Sequence, residues 1–136
     1  MSAPALRATV PALSAPRRAR KLTAVERTLD SGLRVLAVRK PGVPLIEVRL
    51  RMPFLSARAA HAARAALLSD TVLTGTDEYD RASLAATVQR LGGDLGVSVD
   101  ADRLLVSGNV LATNLRPFLD VVAGVLTGAT LSLIHI

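Results

Sequence analysis

The segment Leu45–Met52, LIEVRLRM, alternates without a break. Ile46, Val48, Leu50 and Met52 are apolar, and Glu47, Arg49 and Arg51 between them are charged. Successive side chains on a strand point to opposite faces, so this period of two specifies a half-buried strand. Pro53 closes it, because proline cannot continue a ladder of hydrogen bonds.

The next segments decide what covers the apolar face. Ser56 is a candidate N-cap for an Ala-rich helix running to about Leu73, and Gly75 suits the position past its end. A second helix is predicted from about Asp80 to Leu91, with Leu84, Val88 and Leu91 as its buried stripe and Gly92-Gly93 as its stop. DLGVSVD and RLLVSGNVLA are β-patterned runs joined at Asp100-Ala101-Asp102, the pattern of an antiparallel hairpin. In TNLRPFLDVVAGVL, Thr113 is a candidate cap and Pro117 lies near the first turn, where a missing N–H matters least. Phe118, Val121, Val122 and Val125 fall on one side of that third helix. Upstream, RTLDSGLRVLAVRK reads as strand, turn at Asp30-Ser31-Gly32, and strand, with Leu33–Val38 having at least one buried face. Pro41, Gly42 and Pro44 then break the chain. The order β-β-β-α-α-β-β-α implies an α+β domain, an antiparallel or mixed sheet with helices packed on one face.

The chain has 136 residues, enough for one small domain, and half of them are hydrophobic. With Phe54, Tyr79 and Phe118 as the only aromatics, the core is built from Ala, Val and Leu. The formal charge is +6, but it is unevenly placed. Arg7, Arg17, Arg18, Arg20 and Lys21 lie in the first 25 residues with no acid, whereas the rest carries 12 basic against 11 acidic groups. The near-neutral body and its few aromatics argue against a nucleic-acid partner. Residues 1–24 read as a disordered basic leader; an acid-free stretch with Arg and Ser also has the composition of an organellar transit peptide. Residues 25–130 form the expected α+β domain. The absence of cysteine excludes disulfides and thiolate metal sites. No apolar run approaches the ~20 residues of a membrane span, so no membrane partner and a cytoplasmic location are expected.

The last six residues, LSLIHI, can be read as a short buried strand. Back-translated as CTG-TCT-CTT-ATA-CAC-ATC they also match a transposon-end sequencing adaptor. The expectation is that residues 131–136 are an adaptor-derived tail, that His135 is not native, and that the natural protein is longer.

Four pieces in order resemble the pitrilysin/insulinase-type metallopeptidases. TLDSGLRVLAVRKPGVPLIEVRLRM is similar to the family's opening strands, and LLSDTVLTGT to its active-site helix and the Gly-Thr that follows. LGGDLGVSVDADRLLVSGNVL is similar to the Gly-Gly hairpin, and NLRPFLDVVAGVLTGA to the next helix. The resemblance covers about residues 26–129 and implies a truncated, metallopeptidase-like half domain. Active members carry an inverted zinc motif, H-x-x-E-H, on the first helix: two histidines ligate the metal and the glutamate is general base. Counting back from Gly75-Thr76 sets Ala66 at the first histidine position, Ser69 at the glutamate and Asp70 at the second histidine. Ala66 has no ligand atom, Ser69 is a very weak base, and Asp70 offers one carboxylate where catalytic zinc wants three protein ligands. His61 cannot substitute, since HAARA puts Arg64 and Ala65 where glutamate and histidine belong; it is expected to be a surface or partly packed side chain. Asp77, Glu78 and Asp80 are expected in a loop and at the start of the second helix, where negative charge suits the dipole.

The resemblance therefore implies no catalytic residue, no metal ligand set and no cofactor. It implies a non-catalytic subunit, structural or peptide-binding, paired with a zinc-bearing homologous subunit or with a second half of the same chain. In the resembling enzymes peptide adds as a strand beside the Gly-Gly hairpin, where an asparagine usually occupies the place of Gly96. An active zinc endopeptidase and an unrelated α+β interaction domain are the alternatives.

Overall fold

A computed structural model describes residues 22–56, 58, 60–100 and 102–131. Residues 1–21 of the leader expected over 1–24, and residues 132–136 of the expected adaptor tail, lie outside them; Thr23 and Ala24, expected in the leader, belong to a strand instead. The chain divides into two units, before and after the Pro41–Gly42 bond.

The first unit is a hairpin of β1 (Thr23–Thr28) and β2 (Arg34–Arg39), in antiparallel register from Thr23↔Arg39 to Thr28↔Arg34. Its turn is the expected one: Gly32 takes a φ of 82°, and its N–H donates to the Leu29 carbonyl at 2.8 Å. Only a residue without a Cβ enters that left-handed region freely. The expected buried face of Leu33–Val38 is not found. Every residue of both strands is exposed, Leu36 at 65%. The cross-strand pairing explains the difference. Val25, Val35 and Ala37 share one face, and Ala24, Leu36 and Val38 share the other, so neither face of this ribbon is the apolar one.

In the second unit β3 (Leu45–Pro53), β4 (Asp94–Val99) and β5 (Arg103–Leu111) form a sheet in the order β3-β5-β4, both pairings antiparallel. The alternation of β3 is realised: Ile46, Val48, Leu50 and Met52 are half-buried, and Glu47, Arg49 and Arg51 exposed. On β5 the buried set is Leu104, Val106, Gly108 and Val110. Against that face pack α2 (Arg81–Arg90) through Leu84 and Val88, and α3 (Leu115–Gly128) through Phe118, Val121, Val122 and Val125. The result is the expected α+β layer, with α2 and α3 on one side, while the other side carries Glu47, Arg49, Arg51 and Asn109 together with Leu45, Leu105 and Leu111. Phe118, Val110 and Val125 are the largest fully buried side chains.

α1 (His61–Thr71) starts later than Ser56 implied. The Ser56 hydroxyl instead accepts from the Arg58 N–H at 3.3 Å, a local turn that competes with helix. The helix also ends early, with Val72 as C-cap, and Gly75 is not its terminating glycine. Thr74 closes the end by donating its hydroxyl to the Thr71 carbonyl, 2.6 Å. Gly75 lies beyond, accepting from Thr130 N–H at 3.1 Å, so the segment after α1 is tied to the end of α3. Ahead of α3 the chain makes a 3-10 turn, Ala112–Asn114. Thr113 sits within it and does not cap; Asn114 occupies the cap position and its side-chain amide donates to the Leu91 carbonyl at 2.9 Å.

Candidate functional site

The three positions matched to the zinc motif lie on the last two turns of α1. Ala66 is exposed and presents only a methyl group. Ser69 is half-buried, and its hydroxyl donates to the Ala66 carbonyl at 2.8 Å, a bond within its own helix. Asp70 is exposed. Their spacing places 66 and 70 one turn apart, so the helix supplies the geometry of a paired-ligand site. It does not supply the donors. One carboxylate and an internally bonded hydroxyl do not fit a catalytic zinc. Among the described residues no three His, Asp, Glu or Cys side chains gather into a group that could hold a metal ion.

His61, at the start of α1, is a packed side chain. Its Nε2 is 2.7 Å from the Phe54 carbonyl and its ring lies 4.9 Å from the Phe54 ring. It anchors the helix start to the end of β3. Asp80 is the N-cap of α2, its Oδ1 accepting from the Ser83 N–H at 2.7 Å. Asp77 and Glu78 are exposed in the turn before it.

The sheet edge is built from Gly92-Gly93. Leu91 ends α2, and Gly92 adopts a φ of 69°. Its N–H donates to Gln89 at 2.9 Å, and Gly93 N–H donates to Val88 at 3.2 Å. This is the paired bonding of a Schellman motif, which satisfies the orphan carbonyls of α2 and turns the chain into β4. The second glycine has a separate reason. A methyl group on Gly93 would run into the Asn109 carbonyl, and one on Gly108 into the Asp94 carbonyl. The two glycines let the start of β4 approach β5 backbone to backbone. Asp94 locks the junction, accepting from Asn109 N–H at 2.8 Å and Asn109 Nδ2 at 3.0 Å. At the far end of the hairpin, Arg103 is held protonated beyond its ordinary range. Its hydrogen bond to Asp100 is the main cause, and the Asp102 and Asp100 charges add to it.

Among the described strands β4 pairs only with β5, so no described strand occupies its other edge. Gly96 sits in the middle of that edge strand. A Cβ there would meet nothing closer than the Ser107 carbonyl at 3.9 Å, so packing does not require the glycine. Beside the start of β4 lies a hollow of about 300 Å³, lined chiefly by Leu73, Leu84, Ala85, Val88 and Leu95, with Arg81 also on its wall. Sequence reasoning placed Leu84 and Val88 in the core but missed this hollow. Ala85, a small and exposed residue of α2, is part of its wall. A second hollow, about 420 Å³, lies between α2 and α3 and is lined by Asp77, Glu78, Asp120 and Gly124 among others.

Two solved structures share this arrangement. One is a peptidase M16 inactive domain from Pseudomonas fluorescens, 23% identical over 82% of this chain and 28% of its own, with a TM-score of 0.72. The other is pitrilysin, 24% identical over 85% of this chain and 13% of its own, with a TM-score of 0.68. The fold is thus that of a peptidase M16 domain, as the sequence resemblance implied. The chain spans less than a third of the length of either. No family model and no curated protein matches the sequence.

Proposed function

We propose that the chain is a non-catalytic, peptidase-like subunit of the M16 type, cytoplasmic, acting as the structural or peptide-binding partner of a zinc-bearing homologous subunit or of a second half of the same chain. One observation carries the reading. α1 retains a helix at the place of the active-site helix and packs on β4, but positions 66, 69 and 70 offer a methyl group, a hydroxyl spent within the helix and a single carboxylate. Zinc hydrolysis needs about three protein ligands and a general base, and α1 supplies neither set. The open edge of β4 is the feature that supports peptide binding, because an extended peptide can add to it as a further strand.

Metal analysis of the purified chain together with co-purification tests this. The expected result is zinc far below one equivalent per chain, no peptide cleavage, and recovery with a partner that carries H-x-x-E-H. Tight equimolar zinc, with cleavage abolished by a chelator, refutes it.

A further inference from the structure

β3 lies at the opposite side of the sheet from β4, and among the described strands it pairs only with β5. The Pro44 carbonyl accepts from Ala112 N–H at 2.9 Å, and Phe54 N–H donates to the Asp102 carbonyl at 3.0 Å, so positions 44 and 54 face β5. Backbone groups alternate along a strand, and the β3–β5 register runs unbroken from Leu45 to Pro53. The N–H and C=O groups of Leu45, Glu47, Arg49 and Arg51 therefore point away from β5, toward an edge that no described strand occupies. Pro53 is the next outward position, and it has no N–H to offer.

Glu47 and Arg49 are exposed and form an ion pair within the strand at 2.6 Å. Both contacts of Arg49 are to Glu47 Oε1, so this pair does not use the second carboxylate oxygen. Their neighbours on β5, Asn109 opposite Glu47 and Ser107 opposite Arg49, carry no charge. On the helix side Ile46, Val48, Leu50 and Met52 are half-buried, so their cover is incomplete. A second β3 laid antiparallel against this edge meets all of these features in one register, centred on Val48. There Glu47 opposes Arg49 on both sides of the two-fold axis, Ile46 opposes Leu50, and Leu45 opposes Arg51. All four outward residues then exchange hydrogen bonds, and Pro53 falls outside the pairing. The two Arg49 side chains are diagonal neighbours, each beside two Glu47 carboxylates. Other centres conflict, because like charges directly opposite one another destabilise a sheet. Centring on Glu47 sets Glu47 against itself, centring on Arg49 sets Arg49 against itself, and centring on Leu50 sets Arg49 against Arg51. A shift of the added strand by a single residue puts apolar side chains opposite charged ones.

We propose that the chain forms a two-fold dimer through β3, giving one continuous antiparallel sheet in the order β4-β5-β3-β3-β5-β4. The occupant of the edge is a second copy of this chain, because the Glu47–Arg49 pattern is complementary to itself when reversed. Both β4 edges stay outermost in that sheet, so the inference does not rest on the peptide-binding reading.

Sedimentation equilibrium of the full chain over a concentration series tests it, with amide exchange measured on the same samples. The expected species is a dimer, and the amides of Leu45, Glu47, Arg49 and Arg51 should gain protection as concentration rises. Glu47→Arg and Arg49→Glu, each alone, set like charges opposite one another twice and should weaken dimerisation on the order of tenfold. Both positions are exposed, so the reversals spare the core, and circular dichroism checks that each variant is folded. Mixed in equal amounts, the two variants should associate as tightly as the parent, because each then meets the other's opposite charge. A chain that stays monomeric, or a dimer indifferent to both single reversals, would overturn the proposal. So would two folded variants whose mixture restores nothing. Protection of the four amides in a monomer would assign the edge to another segment of the same chain and overturn it as well.

Discussion

Gly108→Ala probes the junction on which the candidate edge depends. Gly108 lies on the buried face of β5, and an added methyl group meets two obstacles: the Asp94 backbone carbonyl, which is closer, and Phe118 Cζ at 2.8 Å. Its φ is not in the left-handed region, so alanine is allowed there by its own backbone. Removing a glycine favours folding by roughly 0.4–1 kcal/mol through the unfolded chain. Overpacking costs about 1–3 kcal/mol. The net expectation is a loss of about 1–2 kcal/mol, or a Tm lower by roughly 4–16 °C for a domain of this size. Urea denaturation of Gly108→Ala, Phe118→Leu and the double variant separates the two obstacles through a double-mutant cycle. Phe118→Leu removes the side-chain clash but leaves the carbonyl, so rescue should be partial at most. Because the two positions touch, the losses should fall short of additive by the part of the clash that Phe118 contributes. Full rescue by Phe118→Leu, or a Gly108→Ala variant as stable as the parent, would refute the claim that backbone approach at Asp94 dictates this glycine.

Gly124→Ala should stabilise by about 0.5–1 kcal/mol, because this glycine is interior to α3 and a Cβ there meets nothing within 4 Å; a denaturation midpoint that falls would contradict the open space seen there. Phe118→Ala should cost about 3–5 kcal/mol, whereas Leu119→Ala, its exposed neighbour, should change stability by less than about 0.5 kcal/mol; calorimetry of the pair checks which face of α3 is inside. Asp80→Ala removes the cap of α2 and should cost about 1 kcal/mol, with Asp80→Asn retaining most of it, read from thermal unfolding. His61→Ala should leave global stability nearly intact but speed amide exchange in the first turn of α1, since the bond to the Phe54 carbonyl and the contact with the Phe54 ring that it loses are local to the helix start.

The parts of the fold legible in the sequence are those decided by local rules. The alternation in β3, the start of α2 near Asp80, the Gly92 stop and the Phe118, Val121, Val122, Val125 stripe each depend on spacing within one element, and each is found. The ends of α1 were misread because competing local bonds won. Ser56 accepts from Arg58 within a turn, and Thr74 closes the helix before Gly75 is reached. Tertiary contacts were out of reach altogether. Nothing in the pattern of Gly93 and Gly108 announces that each faces a backbone carbonyl of the neighbouring strand. In the first hairpin, the apolar-rich strand implies a buried face, but pairing register spreads its apolar residues over both faces.

The positions that hold the fold and the positions that would hold zinc do not overlap. The core depends on Leu84, Val88, Val106, Val110 and Phe118, and the turn into the edge strand on Gly92, Gly93 and Gly108. Ala66 and Asp70 are exposed, and Ser69 bonds only within its own helix, so what stands at these positions costs the packing almost nothing. A chain under no demand for metal can therefore exchange all three residues and keep every determinant of its shape. This separability is why a TM-score of 0.72 establishes a peptidase fold and leaves peptidase chemistry to be decided by the side chains. It also directs where activity of another kind would persist. The edge of β4 is made of backbone, whose hydrogen-bonding groups do not depend on which side chains stand at positions 66, 69 and 70.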